Sequence, residues 1–476
     1  MPKFNIIVSV NRDNVIGYEN NLLIESSHDL KYFYKITSRQ CNKYKNVCIM
    51  GWNTWESIPK NVRPLKNRIN IILTQNHCVK ETDDVLTMSS LDMALEWCNI
   101  NDIGKVFIIG GQSIYAECFM NMKNIDLLYI THFDYKTPSN LRNIKYFPDV
   151  DITKYFHEMY CEQKETECKV IDKVKMIDTS YKIYQNKDTV NIQELEYLKL
   201  LNKISLSSLS ESRNSAVYSS FGERLEFDLS KGFPLLTSKK IGFKTILREL
   251  LWFISGSTSN KKLNDVNVHI WDQNASEEYM KSRNLDYKEG ELGPIYGFQW
   301  RHYGAKYVDA ETDYKDQGID QLKYIIDTIK NDPSSRRIIL NAWNPCDIDN
   351  MALPPCHVMC QFYVNQRDKK LDCQMYQRSG DMFLGVPFNI ASYSLLTHII
   401  AHLTGYNVGR FIHILGDAHI YSTHIDAIRV QVKNQTYPFP NLLLSDKLVD
   451  INSIDESYFS ITNYQSGERI SAPMIS

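Results

Sequence analysis

Short apolar runs alternate with amphipathic segments along the first part of the chain. Buried strands are predicted where the apolar runs lie, at residues 4–10, 47–50, 69–73, 105–109 and 127–132. Helices are predicted from His28 onward and at 54–57, 91–98 and 112–120, with a loop at 11–21. Such alternation is typical of an α/β fold with a doubly wound, mostly parallel sheet.

The pattern changes after a short polar segment at residues 188–193, which has no run rich in glycine, serine or proline. We expect a compact connection there instead of a flexible linker. Beyond it, an amphipathic helix is predicted at 194–206, an apolar helix at 245–254 and a strand at 371–375. The expected organisation is therefore two domains, 1–187 and 194–476, joined by this junction.

Composition narrows the class of protein. The 476 residues, 43% hydrophobic and 23% charged, suit a globular chain of more than one domain. A net charge of −2 gives no general attraction to nucleic acid or to an anionic membrane, so local arginines must meet any anionic substrate. No apolar run is long enough to span a bilayer, and no targeting signal is recognisable. The eleven cysteines lack zinc or disulfide spacing, so we expect no metal and a reducing, cytoplasmic location.

Cys356 is the first candidate for covalent chemistry. It follows Pro354 and Pro355, whose rings restrict the backbone and hold the thiol in place. Three arginines are expected near it, namely Arg336, Arg337 and Arg378. Their charge would favour the thiolate, and their guanidinium groups would bind a phosphate, which predicts a cysteine nucleophile acting on a phosphorylated substrate. The alternative is a small buried cysteine of the core, as free cysteines usually are.

Two carboxylates and a glycine pair carry further candidate chemistry. Asp29 begins a helix among apolar residues, as a dipole-stabilised carboxylate or as an acid whose proton affinity is tuned for catalysis. Glu249 lies in an apolar helix, where a buried acid is costly without a task or a partner. Gly110 and Gly111 join a strand to a helix, which suits either a phosphate site or a tight packing turn.

Five motifs of the second part follow the order found in one enzyme family. They are Ala342-Trp343-Asn344-Pro345, Leu353-Pro354-Pro355-Cys356-His357, Gln377-Arg378-Ser379-Gly380-Asp381, Gly385-Val386-Pro387-Phe388-Asn389 and Leu415-Gly416-Asp417-Ala418-His419-Ile420-Tyr421. From about Glu194 to the C-terminus the chain resembles thymidylate synthase, which implies a mixed-sheet α+β domain. The resemblance implies methylation of dUMP with 5,10-methylenetetrahydrofolate by a homodimer in which Arg336 and Arg337 serve the neighbouring subunit.

The same resemblance implies roles for individual residues. Cys356 would add to C6 of the uracil ring, Glu249 would organise water and protons around it, and Tyr296 would assist proton abstraction. dUMP would be bound by Arg213, Arg336, Arg337, His357, Gln377, Arg378, Ser379, Asp381, Asn389, His419 and Tyr421. The folate would lie against Ile270, Trp271, Asn274, Asp381, Leu384, Gly385 and Phe388. The loop after Arg213 departs from the family, because Asn214-Ser215-Ala216-Val217 replaces glycines and would be stiffer.

Over residues 4–185 the chain resembles dihydrofolate reductase. The resemblance rests on Val15-Ile16-Gly17, Asp29, Tyr32-Phe33, Ile49-Met50-Gly51, Thr54-Trp55, Arg63-Pro64-Leu65, Arg68 and Ile108-Ile109-Gly110-Gly111. It implies that Asp29 pairs with the pterin and supports protonation beside the hydride transfer, and that Arg68 binds the glutamate carboxylate of the substrate. Further folate contacts would be Ile7, Val8, Phe33, Ile109 and Thr131. NADPH would be bound by Ser9, Ile16, Gly17, Gly51, Trp52, Asn53, Thr54, Leu73, Thr74, Gln75, Gly110, Gly111, Gln112, Ser113, Ile114 and Tyr115.

Two departures from the reductase pattern change the expectations. Leu23-Ile24 stands where the family has Pro-Trp, which removes an indole N–H donor and should leave the loop more mobile. Trp52-Asn53 stands where basic residues usually meet the 2′-phosphate of NADPH. We therefore expect a weaker preference for NADPH over NADH than is usual in the family.

Taken together, the two parts resemble the bifunctional dihydrofolate reductase–thymidylate synthase family of protists and plants. The synthase reaction yields dihydrofolate and the reductase reaction consumes it, so the two activities form a cycle. One alternative is an active synthase with a weakened or non-catalytic reductase part that serves as a scaffold or binding module. A dedicated RNA-binding protein is a further alternative, against which stand the near-neutral charge and the absence of a basic stripe with aromatic residues.

Overall fold

The computed structural model describes residues 2–40, 43–212 and 215–475. The chain divides into two compact units, Met1–Val190 and Asn191–Ser476. This division falls inside the segment 188–193 that the sequence marks as a junction. The domain limits 1–187 and 194–476 themselves stay a prediction.

Within the described residues, the first unit has eleven strands and five α-helices. Its strands are β1 Phe4–Asn11, β2 Val15–Tyr18, β3 Ile24–Glu25, β4 Asn46–Gly51, β5 Arg68–Leu73, β6 Val85–Met88, β7 Val106–Ile108, β8 Ile125–Phe133, β9 Ile144–Tyr146, β10 Phe156–Val170 and β11 Lys173–Asn186. Its helices are α1 Ser27–Ser38, α2 Trp52–Ser57, α3 Leu91–Ile100, α4 Gln112–Met120 and α5 Ile152–Tyr155.

A nine-stranded sheet forms the centre of this unit, in the order β3-β10-β11-β8-β1-β7-β4-β5-β6. The pairings from β8 through β6 are all parallel, which confirms the predicted mostly parallel α/β fold. The apolar runs β1, β4 and β7 are almost wholly buried because parallel strands are covered on both faces. Ligands of such sheets bind outside the carboxyl ends of the strands, where Gly51, Leu73 and Ile109 lie.

The antiparallel strands at one edge are not predicted by the apolar pattern. β10 and β11 pair along their whole length, from Phe156 opposite Asn186 to Val170 opposite Lys173. Their many charged residues face solvent, so these strands have no continuous apolar run to reveal them. The predicted loop at 11–21 also contains a strand, because β2 pairs with β9.

In the part of the second unit that the structure describes, there are eight strands and eight α-helices. Its strands are β12 Leu209–Glu211, β13 Ala216–Asp228, β14 Ile339–Asn341, β15 His357–Asn365, β16 Lys370–Asp381, β17 Asn407–Tyr421, β18 Asn441–Leu444 and β19 Phe459–Thr462. Its helices are α6 Ile192–Ser205, α7 Phe243–Ile254, α8 Asn260–Asn264, α9 Glu277–Ser282, α10 Tyr296–His302, α11 Gln321–Asn331, α12 Gly385–Thr404 and α13 Ile425–Gln431.

Its main sheet has six strands in the order β12-β13-β17-β16-β15-β14. Only the central pair β16–β17 is parallel among these strands, so the predicted mixed sheet is confirmed. Helix α12 is apolar on nearly every side and lies buried against β16, β17 and α7, as an all-round hydrophobic helix must. It ends at Thr404, and the following Gly405 has a positive φ of 75°, which suits a glycine just after a helix C-terminus.

Helix α6 is fixed by an acid buried at its start. Both Glu194 carboxylate oxygens accept from the Thr237 backbone N–H at 2.8–2.9 Å, and the Thr237 hydroxyl and Ser238 N–H also donate to them. Burial raises the pKa of Glu194, and these donors oppose that effect. A fully buried acid is tolerated because each of its oxygens has hydrogen-bond donors.

We predict that Glu194→Ala destabilises the protein because it leaves several buried donors without an acceptor. The expected loss of unfolding free energy is about 2–5 kcal/mol, measured by urea unfolding of the full chain. Glu196→Ala on the same helix is the matched control, since its ion pair with Lys199 is exposed and contributes less than about 1 kcal/mol. Equal losses in both variants would show that the buried hydrogen bonds of Glu194 do not stabilise the fold.

Candidate functional sites

The Pro-Pro-Cys segment of the second unit is held by one arginine of β16. Arg378 donates from Nε to the Pro355 carbonyl and from Nη2 to the Pro354 carbonyl, both at 2.9 Å. Its backbone N–H donates to the Cys356 carbonyl at 2.8 Å. The guanidinium also lies over the Trp343 ring, 5.6 Å from its centroid. Arg378 therefore fixes the backbone before and at Cys356, and the thiol lies 4.0 Å from its Nη2.

The charge of Arg378 favours the Cys356 thiolate, as expected, but burial has the larger effect on that thiol. Burial raises the pKa of the Cys356 thiol, and the charge of Arg378 offsets this only in part. Arg336 and Arg337 are exposed in the segment before β14 and contribute nothing to that pKa shift. Arg213 is also predicted to bind the substrate phosphate, but it lies outside the described residues.

A neutral histidine organises the polar groups beside Cys356. Burial, followed by the nearby charge of Arg378, lowers the pKa of His357 to about 3. Its Nε2 lies 3.0 Å from Asn389 Nδ2, and its Nδ1 lies 3.2 Å from the Tyr393 hydroxyl. A neutral imidazole has one acceptor and one donor, so Nε2 accepts from the Asn389 amide and Nδ1–H donates to Tyr393. This hydrogen bond identifies the nitrogen end of the Asn389 side-chain amide, because only the N–H end can donate to His357.

Tyr296 contacts both Cys356 and His357. Its hydroxyl accepts from the Cys356 backbone N–H at 2.7 Å, and its ring stacks on His357 with centroids 4.5 Å apart. Tyr296 is fully buried, and burial raises its pKa well above the usual value. It therefore keeps its proton at neutral pH, with its oxygen directed at the peptide that carries the thiol.

Glu249 is the buried acid of this site. It lies on α7 with one described hydrogen-bond donor, the indole Nε1–H of Trp271, 2.8 Å from Oε1. Burial raises the pKa of Glu249 to about 7, although the Trp271 hydrogen bond opposes that rise. The carboxyl group is thus able to bind or release a proton near neutral pH. Trp271 belongs to the predicted folate residues, and its half-buried neighbours Ile270 and Asn274 flank it.

The parallel strands β16 and β17 bring together most of the other predicted residues. Ser379 lies opposite Asp417, and Asp381 lies opposite His419. Tyr421 ends β17, and its ring meets the His419 ring edge to face at 5.1 Å. Gln377 instead points into the core, where its amide contacts His413 and the Ser379 carbonyl. Its predicted contact with dUMP stays a prediction, and here it supports the strand.

Sequence reasoning misses the residues that support Asp381. The carboxylate accepts from the backbone N–H groups of Phe383 and Leu384, and His424 Nδ1 lies 3.7 Å from Oδ1. His424 in turn donates from Nε2 to the Pro473 carbonyl at 2.7 Å. Leu384, Gly385 and Phe388 follow at the start of α12 and are half-buried. Only the residue type of His424 could have signalled this role, because its partners are distant in sequence.

The segment after β19 forms part of the wall of the site beneath Asp381. Gly467 N–H donates to the Thr237 carbonyl at 2.7 Å, and the Tyr464 hydroxyl donates to the Leu236 carbonyl at 2.7 Å. Between these points, buried Lys239 donates to the Phe383 carbonyl. Burial lowers the pKa of Lys239 to about 7, against the raising effect of Asp381 and Glu194. The wall beneath Asp381 is thus built from three separated parts of the chain.

Asp29 is the candidate acid of the first unit. It lies in the first turn of α1 and is half-buried, with the Ser9 and Thr131 hydroxyls as its hydrogen-bond partners. Burial raises the pKa of Asp29 to about 6, although both hydroxyls oppose that rise. Of the two interpretations of Asp29, its raised pKa favours the acid whose proton affinity is tuned.

Several predicted folate residues lie on the same elements as Asp29 and its hydrogen-bond partners. Ile7 and Val8 lie on β1 beside Ser9, Phe33 lies on α1, and Thr131 lies on β8. Arg68 begins β5 and is buried; it donates to the Lys66 carbonyl at 2.9 Å and to the Thr37 hydroxyl at 2.7 Å. Its guanidinium faces the rings of Phe33 and Tyr34. This fixed cation suits a carboxylate of the substrate tail.

Most of the predicted cofactor residues lie at or after the carboxyl ends of the parallel strands. Gly51 ends β4, Trp52, Asn53 and Thr54 are on α2, Leu73 ends β5 before Thr74 and Gln75, and Gln112, Ser113, Ile114 and Tyr115 are on α4. Ile16 and Gly17 lie instead on β2, which pairs antiparallel with β9. The Thr54 hydroxyl oxygen is 3.2 Å from where a Cβ on Gly110 would lie and 3.3 Å from one on Gly111. Side chains there would crowd Thr54, and Gly110 has a positive φ of 129°. The bare backbone at the start of α4 therefore fits the phosphates of a dinucleotide.

Two further observations concern the departures from the reductase pattern. Leu23 and Ile24 are buried, and β3 pairs with Lys169 and Val170 of β10, while the expected mobility of the preceding loop stays a prediction. Apolar burial in the cluster with Val15 and Phe133 replaces the missing proline as the constraint. The other departure is at Trp52-Asn53, where the sequence suggests no basic side chain. There the Trp52 ring stacks on the His77 ring with centroids 4.2 Å apart, so an imidazole lies beside Trp52.

Metal and membrane signals are absent from the part of the chain that the structure describes. Across residues 2–40, 43–212 and 215–475, no group of three or more His, Cys, Asp or Glu side chains is placed to hold a metal ion. Within the same ranges, no helix is long and apolar enough to cross a membrane.

The two sites correspond to two known families. Residues 195–476 match the family of thymidylate synthase, and residues 3–184 match the family of dihydrofolate reductase. Each match covers the unit that contains the corresponding site. Fold and site thus define a chain that joins these two classes of enzyme domain.

Relatives with both domains match along nearly the whole chain. Bifunctional dihydrofolate reductase-thymidylate synthase 1 of Arabidopsis thaliana is 38% identical over 510 residues, covering 99% of this chain and 96% of that protein. The bifunctional protein of Paramecium tetraurelia is 39% identical over 481 residues, covering 99% and 98%. That of Plasmodium chabaudi is 39% identical over 495 residues, covering 91% and 84%. The chain belongs to the bifunctional dihydrofolate reductase–thymidylate synthase family.

Proposed function

We propose that this chain makes dTMP and regenerates its folate with one enzyme in each unit. The second unit transfers the methylene group and a hydride from 5,10-methylenetetrahydrofolate to C5 of dUMP, which yields dTMP and dihydrofolate. The first unit reduces that dihydrofolate to tetrahydrofolate, with NADPH as the hydride source. The observation that carries the proposal is the Arg378-held Cys356 beside Tyr296, His357 and Asn389, with Glu249 as the buried acid.

Cys356 Sγ is the nucleophile that forms a bond to C6 of the pyrimidine. Because burial raises the thiol pKa, the free chain holds mostly the thiol, and nucleotide binding must favour loss of its proton. Arg378 is the described cation beside Sγ, and it limits the cost of the thiolate. Covalent attachment would activate C5 for transfer of the one-carbon unit.

Asn389 selects uracil over cytosine. Because His357 takes one amide N–H of Asn389, the remaining N–H and the amide oxygen are left in a fixed orientation. The oxygen suits the N3–H donor of uracil and the N–H suits its O4 acceptor. Cytosine reverses this pattern and would leave buried groups unpaired, at a cost of about 1–3 kcal/mol per group.

The synthase unit works as a homodimer. Arg336 and Arg337 are exposed in one chain, which suits guanidinium groups that complete the phosphate site of a second copy. Nearby, one face of the sheet exposes apolar side chains, among them Ile339, Tyr363 and Tyr376. Cross-strand pairing of Ile339 with Gln361 and of Met359 with Tyr376 places these residues on one surface, which a second copy would cover.

The reductase unit is a working enzyme rather than a scaffold. Asp29 offers a carboxyl group with a pKa of about 6 beside the pterin position, and Arg68 offers a fixed cation for the substrate tail. NADPH would be held by Gly51, Thr54 and the turn at Gly110 and Gly111, and when bound it supplies the hydride. The residues of the chain orient the pterin and hold the proton that the reduction requires.

The described cysteines include ten free thiols, among them the buried Cys48 and Cys373. Free thiols persist where disulfides are kept reduced. We therefore assign the enzyme to the cytoplasm.

Cys356→Ser should abolish methyl transfer while dUMP still binds. We expect turnover to fall by on the order of 10³-fold or more, since the covalent step is lost, with dUMP affinity within a few-fold of wild type by calorimetry. Cys346→Ser is the matched control, because Cys346 is exposed and outside the site. A Cys356→Ser enzyme that turns over like the control would refute the nucleophile assignment.

Mixing an Arg337→Ala chain with a Cys356→Ala chain should restore synthase activity. Hybrid dimers would contain one site with an intact Cys356 and an intact partner arginine, so random pairing gives about a quarter of the wild-type activity. The control mixes Arg337→Ala with the double variant Arg337→Ala/Cys356→Ala, in which no intact site can form. Subunit exchange is followed with a fluorescent label; exchange without recovery would contradict shared sites.

Asp29→Asn should sharply reduce dihydrofolate reduction at neutral pH. The carboxyl group holds its proton below its pKa of about 6 and loses it as the pH rises through that value, so the wild-type rate should fall on the alkaline side. The asparagine variant should be about 10²- to 10⁴-fold slower at pH 7 and should lose this ionisation from its pH profile. Asp92→Asn, in the first turn of α3, is the control. Unchanged rates would remove Asp29 from the mechanism.

A further inference from the structure

Three neighbouring strands place hydroxyl groups in one row across the sheet of the first unit. Ser9 of β1 lies opposite Thr131 of β8, and Thr131 lies opposite Tyr181 of β11. Directly paired residues point to the same face of a sheet, so the three side chains line a single surface. Two of them, Ser9 and Thr131, are the hydrogen-bond partners of Asp29. The third, Tyr181, is not one of those partners.

Helix α1 contacts both ends of this row through consecutive residues. Asp29 meets Ser9 and Thr131, while His28 Nδ1 lies 2.8 Å from the Tyr181 hydroxyl. His28 is exposed, whereas Tyr181 is only 1% exposed. The His28–Tyr181 pair therefore connects the solvent to the buried row of hydroxyl groups beside Asp29.

The surroundings of Tyr181 couple it electrostatically to Asp29. Burial raises the pKa of Tyr181, and the charge of Asp29 is the next largest cause, ahead of Cys168 and Glu162. From β10, Lys164 lies over the Tyr181 ring at 5.0 Å and is itself paired with Glu162. From α1, the Tyr32 ring packs edge-on against Tyr181 at 4.9 Å. The buried hydroxyl of Tyr32 has no hydrogen-bond partner among the described residues.

The proton on His28 decides where the Tyr181 hydrogen points. With a neutral His28 whose Nδ1 is bare, the Tyr181 O–H donates to that nitrogen and points away from the row. With a protonated His28, Nδ1–H donates to the Tyr181 oxygen, so the hydroxyl hydrogen must turn away from His28. A protonated His28 also places a positive charge on the residue next to Asp29 in the chain, and a positive charge favours a carboxylate. Histidine changes its charge between about pH 5 and 8, where the reductase must work.

We propose that His28, through its hydrogen bond with Tyr181, controls the proton occupancy of Asp29 and so sets the upper pH limit of dihydrofolate reduction. His28 and Tyr181 are positioning residues in this account, because they act on the reaction through Asp29. The inference rests on the proposed role of Asp29 as the acid of the reductase.

His28→Gln removes the charge and keeps a polar side chain at an exposed position. We expect the alkaline limb of the reductase pH profile to move upward by about 0.3–1 pH unit, as Coulomb's law gives for the loss of a nearby, partly screened charge. Tyr181→Phe should move the limb in the same direction. The double variant should move no further than the larger single shift, because both changes break the same link.

Two measurements separate this effect from a general loss of structure. The pH dependence of dihydrofolate binding, measured by intrinsic fluorescence without NADPH, should shift together with the rate profile in His28→Gln. The controls His157→Gln, at the start of β10, and Tyr155→Phe, at the end of α5, should leave both profiles unchanged. A His28→Gln profile within about 0.1 pH unit of wild type, or a rate lowered equally at every pH, would overturn the inference.

Failure of the proposed function has a different signature. If Asp29→Asn retained wild-type rates, the acid assignment itself would fail, whatever His28 does. If Asp29→Asn were inactive while His28→Gln and Tyr181→Phe kept the wild-type profile, only the control by His28 would be refuted.

Discussion

The synthase site depends on the contact between the Arg378 guanidinium and the carbonyls of Pro354 and Pro355. Prolines have no N–H to anchor them in a sheet, so a segment that contains two of them needs an external donor. Arg378 provides it from β16 and so ties the position of the thiol to the register of the central strands. The same side chain places a cation 4.0 Å from the sulfur. Arg378 therefore contributes both to the geometry and to the electrostatics at Cys356.

Burial has opposite effects on the ionisable groups of this site, and that difference makes the chemistry possible. It keeps His357 neutral, so that the ring can accept from Asn389, and it brings Glu249 to a pKa of about 7. It also keeps Cys356 a thiol in the free chain. A low-dielectric pocket disfavours every charge, and the substrate phosphate and the partner arginines would be needed to change that balance.

Much of this could be predicted from the sequence because apolar runs and ordered motifs are local signals. The parallel strands, α4, α7 and the residues of β16 were all predictable in this way. The larger effect of burial on the pKa of Cys356 was not predictable, because desolvation depends on residues far apart in the chain. The pairing of β3 with β10 was not predictable either, because the apolar pattern did not predict β10. The contact between His28 and Tyr181 likewise joins positions 153 residues apart and leaves no local trace.

The packing of the segment after β19 has a consequence for the order of synthesis. Cys356, Glu249 and Asn389 all leave the ribosome before Gly467 and Pro473, whose backbone atoms complete the wall beneath Asp381. The hydrogen bonds of His424 and of the Thr237 carbonyl can therefore form only after Gly467 and Pro473 have been made. A nascent chain could fold its reductase unit early, yet its synthase pocket would stay unfinished until translation had passed Pro473. Premature termination by even a few codons before that point would remove the partner of His424 and leave the rest of the site in place.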